Sequence, residues 1–505
     1  FTTGNYGRGA EWSASSGAVG TTAGYPNDVQ IGNTTTLNYP NSGTGAFSTT
    51  YTVGRDLTID AGSNFYMDYG GSGNKSGGLN VVRDIIIAGN LSLGNAVGGD
   101  LSVGRDWTHT TGTFTDNSRT VTFNGATGDQ TITPASGESF SFLTINKATS
   151  GGVIISGAIT VTGTLTLTKG NLTIGNNDLT LTSSTALSSQ GSSTSYIVTN
   201  GTGLVKQTIS GSGTYRFPVG SASVYNPATI TWAAAPGVTR LDARYIASTA
   251  STTGLPVTLG NCLSVTDLLN NGYWSFTNTG TPSSNFDINF TRNGHDNAAT
   301  NLNDHGIVRR ANSGSSWATA GTWSDPGSTA ISPASTGQVA LSQTGNGSFG
   351  EFAIAKGSRD LHTITLTSAN NIQTVCPNAS LVNITYTLAG GANSASVTGL
   401  PSGVTSGVSG GVLTISGTPT VSGTYNYTVN TLGNSCGAAQ ATGTITVSNV
   451  FTFGNLQFPS SGSICSGGSL DIYGQVFASG VTNASSTAAG AGVEAQFGYN
   501  TTNND

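Results

Sequence analysis

A short phrase recurs through the early part of the chain and limits its folds more than any other feature. Val53-Gly54-Arg55-Asp56-Leu57-Thr58-Ile59 is echoed by Val82-Arg83-Asp84-Ile85-Ile86-Ile87, by Val97-Gly98-Gly99-Asp100-Leu101-Ser102-Val103 and by Val103-Gly104-Arg105-Asp106-Trp107-Thr108. Asn90-Leu91-Ser92-Leu93-Gly94 and Asn171-Leu172-Thr173-Ile174-Gly175 are looser copies. In each, a Gly, Asp or Asn corner opens a short strand of alternating apolar and polar residues. Such alternation buries one side of a strand and exposes the other. Strands this short close no core singly, so they must stack. Irregular spacing of the copies, about 6 to 30 residues, suits coils of several strands joined by variable loops. Residues 1–195 are therefore expected to form a right-handed parallel β-helix. A stack needs a lid at its end, because a terminal coil exposes an apolar face and a strand edge. Phe1, Tyr6 and Trp12 suit that lid.

The pattern changes around Tyr196. Tyr273-Trp274-Ser275-Phe276, Phe286-Asp287-Ile288-Asn289-Phe290 and Phe352-Ala353-Ile354-Ala355 set large aromatics at alternating positions, as in two packed antiparallel sheets. Residues 196–361 are expected to be a β-sandwich. Residues 362–449 read as a second, Ig-like sandwich, with strands such as Ile384-Thr385-Tyr386-Thr387-Leu388 separated by turn signals. Residues 450–505 read as the start of a further sandwich module, incomplete at Asp505. The fold class is all-β.

Only 8% of residues are charged, against about 25% in an ordinary soluble domain. Recurrent β-branched and aromatic residues still argue for a packed chain and against disorder. The net charge of −6 is spread thinly and no basic stripe exists, which argues against nucleic-acid binding. No apolar run approaches the ~20 residues that span a bilayer. Phe1-Thr2-Thr3-Gly4 is not a signal peptide; a secreted form would have lost its leader already.

Few residues carry recognisable chemistry. Asp56, Asp84, Asp100 and Asp106 would form a ladder on a coil stack, and paired carboxylates can bind Ca²⁺ or cleave glycosidic bonds. Their place just before each strand equally suits turn capping, with Arg55, Arg83 and Arg105 as local partners. His295, Asp296, Asp304 and His305 are the densest set of metal-ligand types, in a polar segment of mixed oxygen and nitrogen donors without a fixed motif spacing. No cofactor is otherwise expected. Trp317 and Trp323, in a Gly/Ser-rich stretch, are candidate platforms for sugar stacking; Trp107, Trp232 and Trp274 sit in core-like strands. Outward Thr rows resemble those that order water in ice-binding proteins, but loops break their spacing. Cys376 and Cys436 lie near opposite ends of one β-rich segment and are the candidate disulfide, worth roughly 4 kcal/mol on the chain-entropy argument; two free thiols are the alternative. No nucleophile elbow, phosphate loop or catalytic triad is evident.

Several segments resemble large secreted cell-surface proteins of Bacteroidota. In the coil region these are Asn90-Leu91-Ser92-Leu93-Gly94, Thr120-Val121-Thr122-Phe123-Asn124-Gly125 and Phe142-Leu143-Thr144-Ile145-Asn146-Lys147. The most specific likeness is to their Ig/PKD-like repeats. It rests on Val397-Thr398-Gly399-Leu400-Pro401-Ser402-Gly403-Val404, Leu413-Thr414-Ile415-Ser416-Gly417-Thr418-Pro419 and Ser422-Gly423-Thr424-Tyr425-Asn426-Tyr427-Thr428-Val429. The resemblance implies an adhesin, including the gliding-motility kind, exported by the type IX secretion machinery. It also implies an outer-membrane anchoring partner and surface glycans as ligands. Such modules are shared among proteins of different function. A polysaccharide-processing enzyme using a β-helix groove, and an accessory region of a larger secreted enzyme, are the alternatives.

Overall fold

The computed structural model describes residues 4–18, 20–41, 44–70, 72–187, 191–334, 336–433, 436–448, 453–459, 462–477 and 482. It is all-β. Among the described residues the helical pieces are two single 3-10 turns, Gly260–Cys262 and Leu302–Asp304. The chain divides into two compact units, Phe1–Arg359 and Asp360–Asp505.

The first unit opens as a stack of coils whose strands fall in turn on three faces. The first face holds Asn5–Gly7, Thr36–Asn38, Asn64–Tyr66, Asn90–Ser92 and Phe114–Thr115. The second runs from Val29–Ile31 through Leu57–Ile59, Ile85–Ile87 and Trp107–His109 to Val219–Gly220. The third begins with Tyr51–Val53, Leu79–Val81, Leu101–Val103 and Thr120–Phe123. Pairing within the stack is parallel, and alternation in the sequence becomes stacked rows inside it. Leu57, Ile85, Trp107 and Ile132 align on the second face. Leu79, Leu101, Val121, Leu143 and Leu165 align on the third. All are buried, each worth about 1.5–3 kcal/mol relative to exposure. The first face ends at Phe114–Thr115. Beyond it the long strands Ser139–Asn146 and Ile159–Lys169 carry register shifts, and Phe140 packs on Trp107 and Phe114.

The lid is aromatic, as expected, and of the nominated residues Trp12 forms its centre, joined by Tyr39, Tyr51 and Phe65. Trp12 stacks on Phe65 and meets Tyr39 and Tyr51 edge-on. The Arg8 guanidinium sits 3.8 Å from the Tyr51 ring centre and donates to the Trp12 carbonyl at 2.8 Å. Tyr6 lies on the partly exposed strand Asn5–Gly7; Phe1 lies outside the described residues.

The expected boundary at 195/196 falls inside the stack. Parallel pairing passes through it, from Leu172–Thr173 to Ile197–Val198 to Val219–Gly220, and from Leu179–Leu181 to Val205–Thr208. Val205–Thr208 then pairs antiparallel with Val238–Ile246. The third face thus becomes one sheet of the sandwich. The facing sheet is formed by Gly213–Phe217, Ala228–Trp232, Phe286–Arg292 and Val339–Asn346. One apolar cluster runs unbroken from Trp12 to Ala355. The physical reason is the strand edge: a coil stack ends in unpaired amides and carbonyls, and here the sandwich supplies their partners.

The second unit is a sandwich of two four-stranded sheets. One orders Thr363–Leu366, Ile384–Ala389, Val412–Gly417 and Val404–Ser409. The other orders Ile372–Val375, Gln440–Val447, Gly423–Gly433 and Ala392–Thr398. Its core is separate, built on Ile384, Tyr386, Leu413, Ile415, Tyr427, Val429 and Ile445. Tyr386 and Tyr427 share a hydroxyl hydrogen bond of 3.0 Å within it. Beyond residue 450 the described strands form one hairpin, Phe453–Phe458 with Tyr473–Phe477.

Candidate functional site

The recurring acids are held by the coil next to them. The Asp28 carboxylate accepts the Asp56 amide at 3.2 Å, Asp56 accepts the Asp84 amide at 3.1 Å, Asp84 accepts the Asp106 amide at 3.1 Å, and Asp106 accepts the Thr131 amide at 2.8 Å. Asp100 does the same for Thr120 at 2.9 Å, and Asn90 and Asn171 for Thr113 and Tyr196. Each corner amide lacks a ladder partner and would otherwise be unsatisfied. The arginines alternate with the acids. Arg55 faces Asp28 at 3.6 Å, Arg83 faces Asp56 at 3.6 Å, and Arg105 makes two bonds to Asp84. Each arginine thus joins the acid of the preceding coil; the expectation of pairing with its own sequence neighbour is met only weakly, by Arg105 and Asp106 at 3.9 Å. Burial works to raise the Asp84 pKa. The Arg105 bond, the Asp106 amide and the neighbouring guanidinium charges outweigh it and hold the carboxyl below its usual value. These carboxylates serve the stack, and Asp84, held ionised by its partners, is a poor general acid.

Outward side chains form a second row. Thr52, Asn80, Ser102, Thr122, Thr144 and Thr166 align in register across the third face. Neighbouring strands lie about 4.8 Å apart, so hydroxyl and amide groups repeat at that spacing with no charge among them. The variable loops that break the Thr spacing in sequence leave this register intact, because they bulge at the corners.

The sequence-nominated metal set does not converge. Among the described residues no group of three or more His, Cys, Asp and Glu side chains is placed to hold a metal. His305 Nδ1 donates to the Asn301 carbonyl and Nε2 accepts from the Ala299 amide, both at 3.0 Å, which uses both nitrogens. His295 is fully buried. Burial lowers its pKa, and the Arg292 and His305 charges lower it further. Asp296 accepts from the Asn270 side chain, and Asp304 closes the 3-10 turn beside it.

The tryptophans are core. Trp317 is 2% exposed and donates to the Ser251 carbonyl at 2.7 Å, with Arg310 over its ring; Trp323 is 7% exposed. Trp107, Trp232 and Trp274 are equally buried, so none offers a ring face to sugar. The cysteine pairing also differs from expectation. Cys376 is a free, half-buried thiol, so the expected Cys376–Cys436 bridge is not formed; Cys436 is disulfide-bonded elsewhere.

A cleft of about 610 Å³ opens at the lid, bounded by Arg8, Glu11, Trp12, Asp28, Gln30 and Asp60. Its acids are engaged in part: Asp28 with Arg55, and Asp60 with the Gln30 side chain at 3.0 Å. No family model, curated protein or solved structure matches the chain. Function therefore rests on this geometry.

Proposed function

We propose that the chain is a non-catalytic, extracellular display module: an adhesin or filament component that holds a polar β-face out for glycans, surfaces or partner proteins. The observation that carries this reading is the register-aligned hydroxyl and amide row on a stack whose corner acids are all occupied. Parallel ladders rigidify the stack, and a short uncharged side chain loses little entropy when it binds. Secretion by the type IX machinery, an outer-membrane anchoring partner and a place on the cell surface belong to the same proposal, on the strength of the repeat resemblance.

A glycan array probed with the whole chain, set beside a polysaccharide-degradation assay, tests it. Retained glycans with no released sugar are expected. Thr122→Lys with Thr144→Lys should abolish retention at unchanged stability. Released oligosaccharide would favour the hydrolase alternative. That reaction would have to occur in the lid cleft, and Glu11→Gln or Asp60→Asn should then stop it.

A further inference from the structure

The junction between the last coils and the sandwich encloses a second cleft, of about 590 Å³. Its walls come from the turns after Thr199 and Val219 and from the ends of Val238–Ile246 and Phe286–Arg292. Two arginines line it, Arg244 and Arg292, and no carboxylate does. Some cations find acids, as Arg240 does with Asp242 and Arg310 with Glu351, whereas no ion pair among the described residues involves Arg244 or Arg292.

Arg292 is 1% exposed. Its guanidinium lies 5.4 Å from the Tyr245 ring centre and donates to Asn226 Oδ1 at 3.1 Å, to the Asn270 carbonyl at 2.5 Å and to the Asn293 carbonyl, while Nε has no acceptor. Every partner is neutral. A buried charge balanced only by dipoles is costly, and its burial opposes its protonation. The buried histidine beside it adds no negative charge. Arg244 is half-buried at the cleft wall and reaches only the Gly201 carbonyl, at 3.4 Å. The remaining polar lining is neutral, from Asn200, Ser221, Ser223, Ser248 and Asn271.

The site therefore combines an unneutralised positive field with hydroxyl and amide groups that can pair with a polyol. We propose that this cleft binds a carboxylated sugar, the uronic-acid unit of an acidic glycan, with Arg244 taking the carboxylate and Arg292 supplying positive charge from the floor. Arg244 offers a planar fork that matches a carboxylate. The side chains of Asn200, Ser221, Ser223, Ser248 and Asn271 are the candidate partners for ring hydroxyls. The inference is independent of the third-face row, since the two surfaces share no residue.

Calorimetric titration of the whole chain with a galacturonate trisaccharide is the test. Binding is expected that weakens with salt and falls about tenfold or more in Arg244→Glu. Arg244→Ser, which adds no new charge, should show the same loss in smaller degree, and Arg216→Glu, on the facing-sheet strand Gly213–Phe217 and outside the cleft lining, should bind normally. Thr122→Lys with Thr144→Lys should also bind normally, which separates this site from the display face. No heat with the uronate, native-like binding by both Arg244→Glu and Arg244→Ser, equal affinity for the neutral galactose trisaccharide, or equal affinity for inorganic phosphate would each overturn the proposal.

Discussion

At the scale of single residues, the Gly-Arg-Asp phrase acts across coils. Its acid and its base pair across successive layers, Arg55 with Asp28, Arg83 with Asp56 and Arg105 with Asp84, offset by 27, 27 and 21 residues. Removing one acid orphans an amide as well as an ion pair. Asp84→Ala should cost about 1–3 kcal/mol in urea unfolding. Asp84→Asn, which keeps an amide acceptor and loses the charge, should cost less, because the partly exposed pair is screened by solvent. The pH dependence follows from the lowered Asp84 pKa. Its contribution is present above the unfolded value near 3.9 and disappears as pH falls through the lower folded value. The buried His109–Glu138 pair, 2.6 Å apart and joined by Trp107 Nε1, has the opposite sign. Burial pulls the His109 pKa down, but the Glu138 carboxylate outweighs it and raises the net value. Its contribution is complete below the unfolded value near 6.5 and is lost as pH rises through the folded one. Urea midpoints at pH 6 should exceed those at pH 8.5 by more in the native chain than in His109→Phe; an equal difference in both would refute this.

At the scale of elements, alternation decided which side of each strand is buried, and the structure agrees with that reading along the third face. Val121→Asp should unfold the stack, since it places a charge in the core row, while Thr122→Asp one residue on should leave the circular dichroism melt within a few degrees. Close coil contact depends on glycine at one corner in particular. A Cβ at Gly104 would lie 2.0 Å from the Val82 carbonyl oxygen, so Gly104→Ala should lower stability by about 1 kcal/mol or more through displaced backbone. The outward Thr residues were legible in the sequence, but their register as one row across coils and the junction cleft were not. Loops of unequal length hide the register, and Arg244 and Arg292 meet only because two strands of different sheets end at the same place. The Trp317 and Trp323 candidates failed for a related reason: a Gly/Ser-rich context marks a turn, but burial depends on what packs over it.

At the scale of the whole molecule, the stack and the first sandwich share one sheet and one core. A fragment of residues 1–195 would expose the Leu179–Leu181 edge and the apolar interior beneath it. It is expected to aggregate on size-exclusion chromatography. Residues 1–359 should run as a monodisperse species with a cooperative melt. Residues 360–448, whose core is their own, should fold alone; a featureless near-ultraviolet spectrum from that fragment would contradict this.

The sequence by itself determined the all-β class, the stacking of short coils, the inward and outward sides of each strand and the separate sandwich near the chain's end. These follow from local periodicity and corner chemistry, which act over a few residues. Only the tertiary structure decided which acid meets which arginine, where the stack ends, which tryptophans are sealed and which cysteine stays reduced. Those outcomes depend on register between segments twenty or more residues apart, and loop length sets that register without leaving a periodic trace.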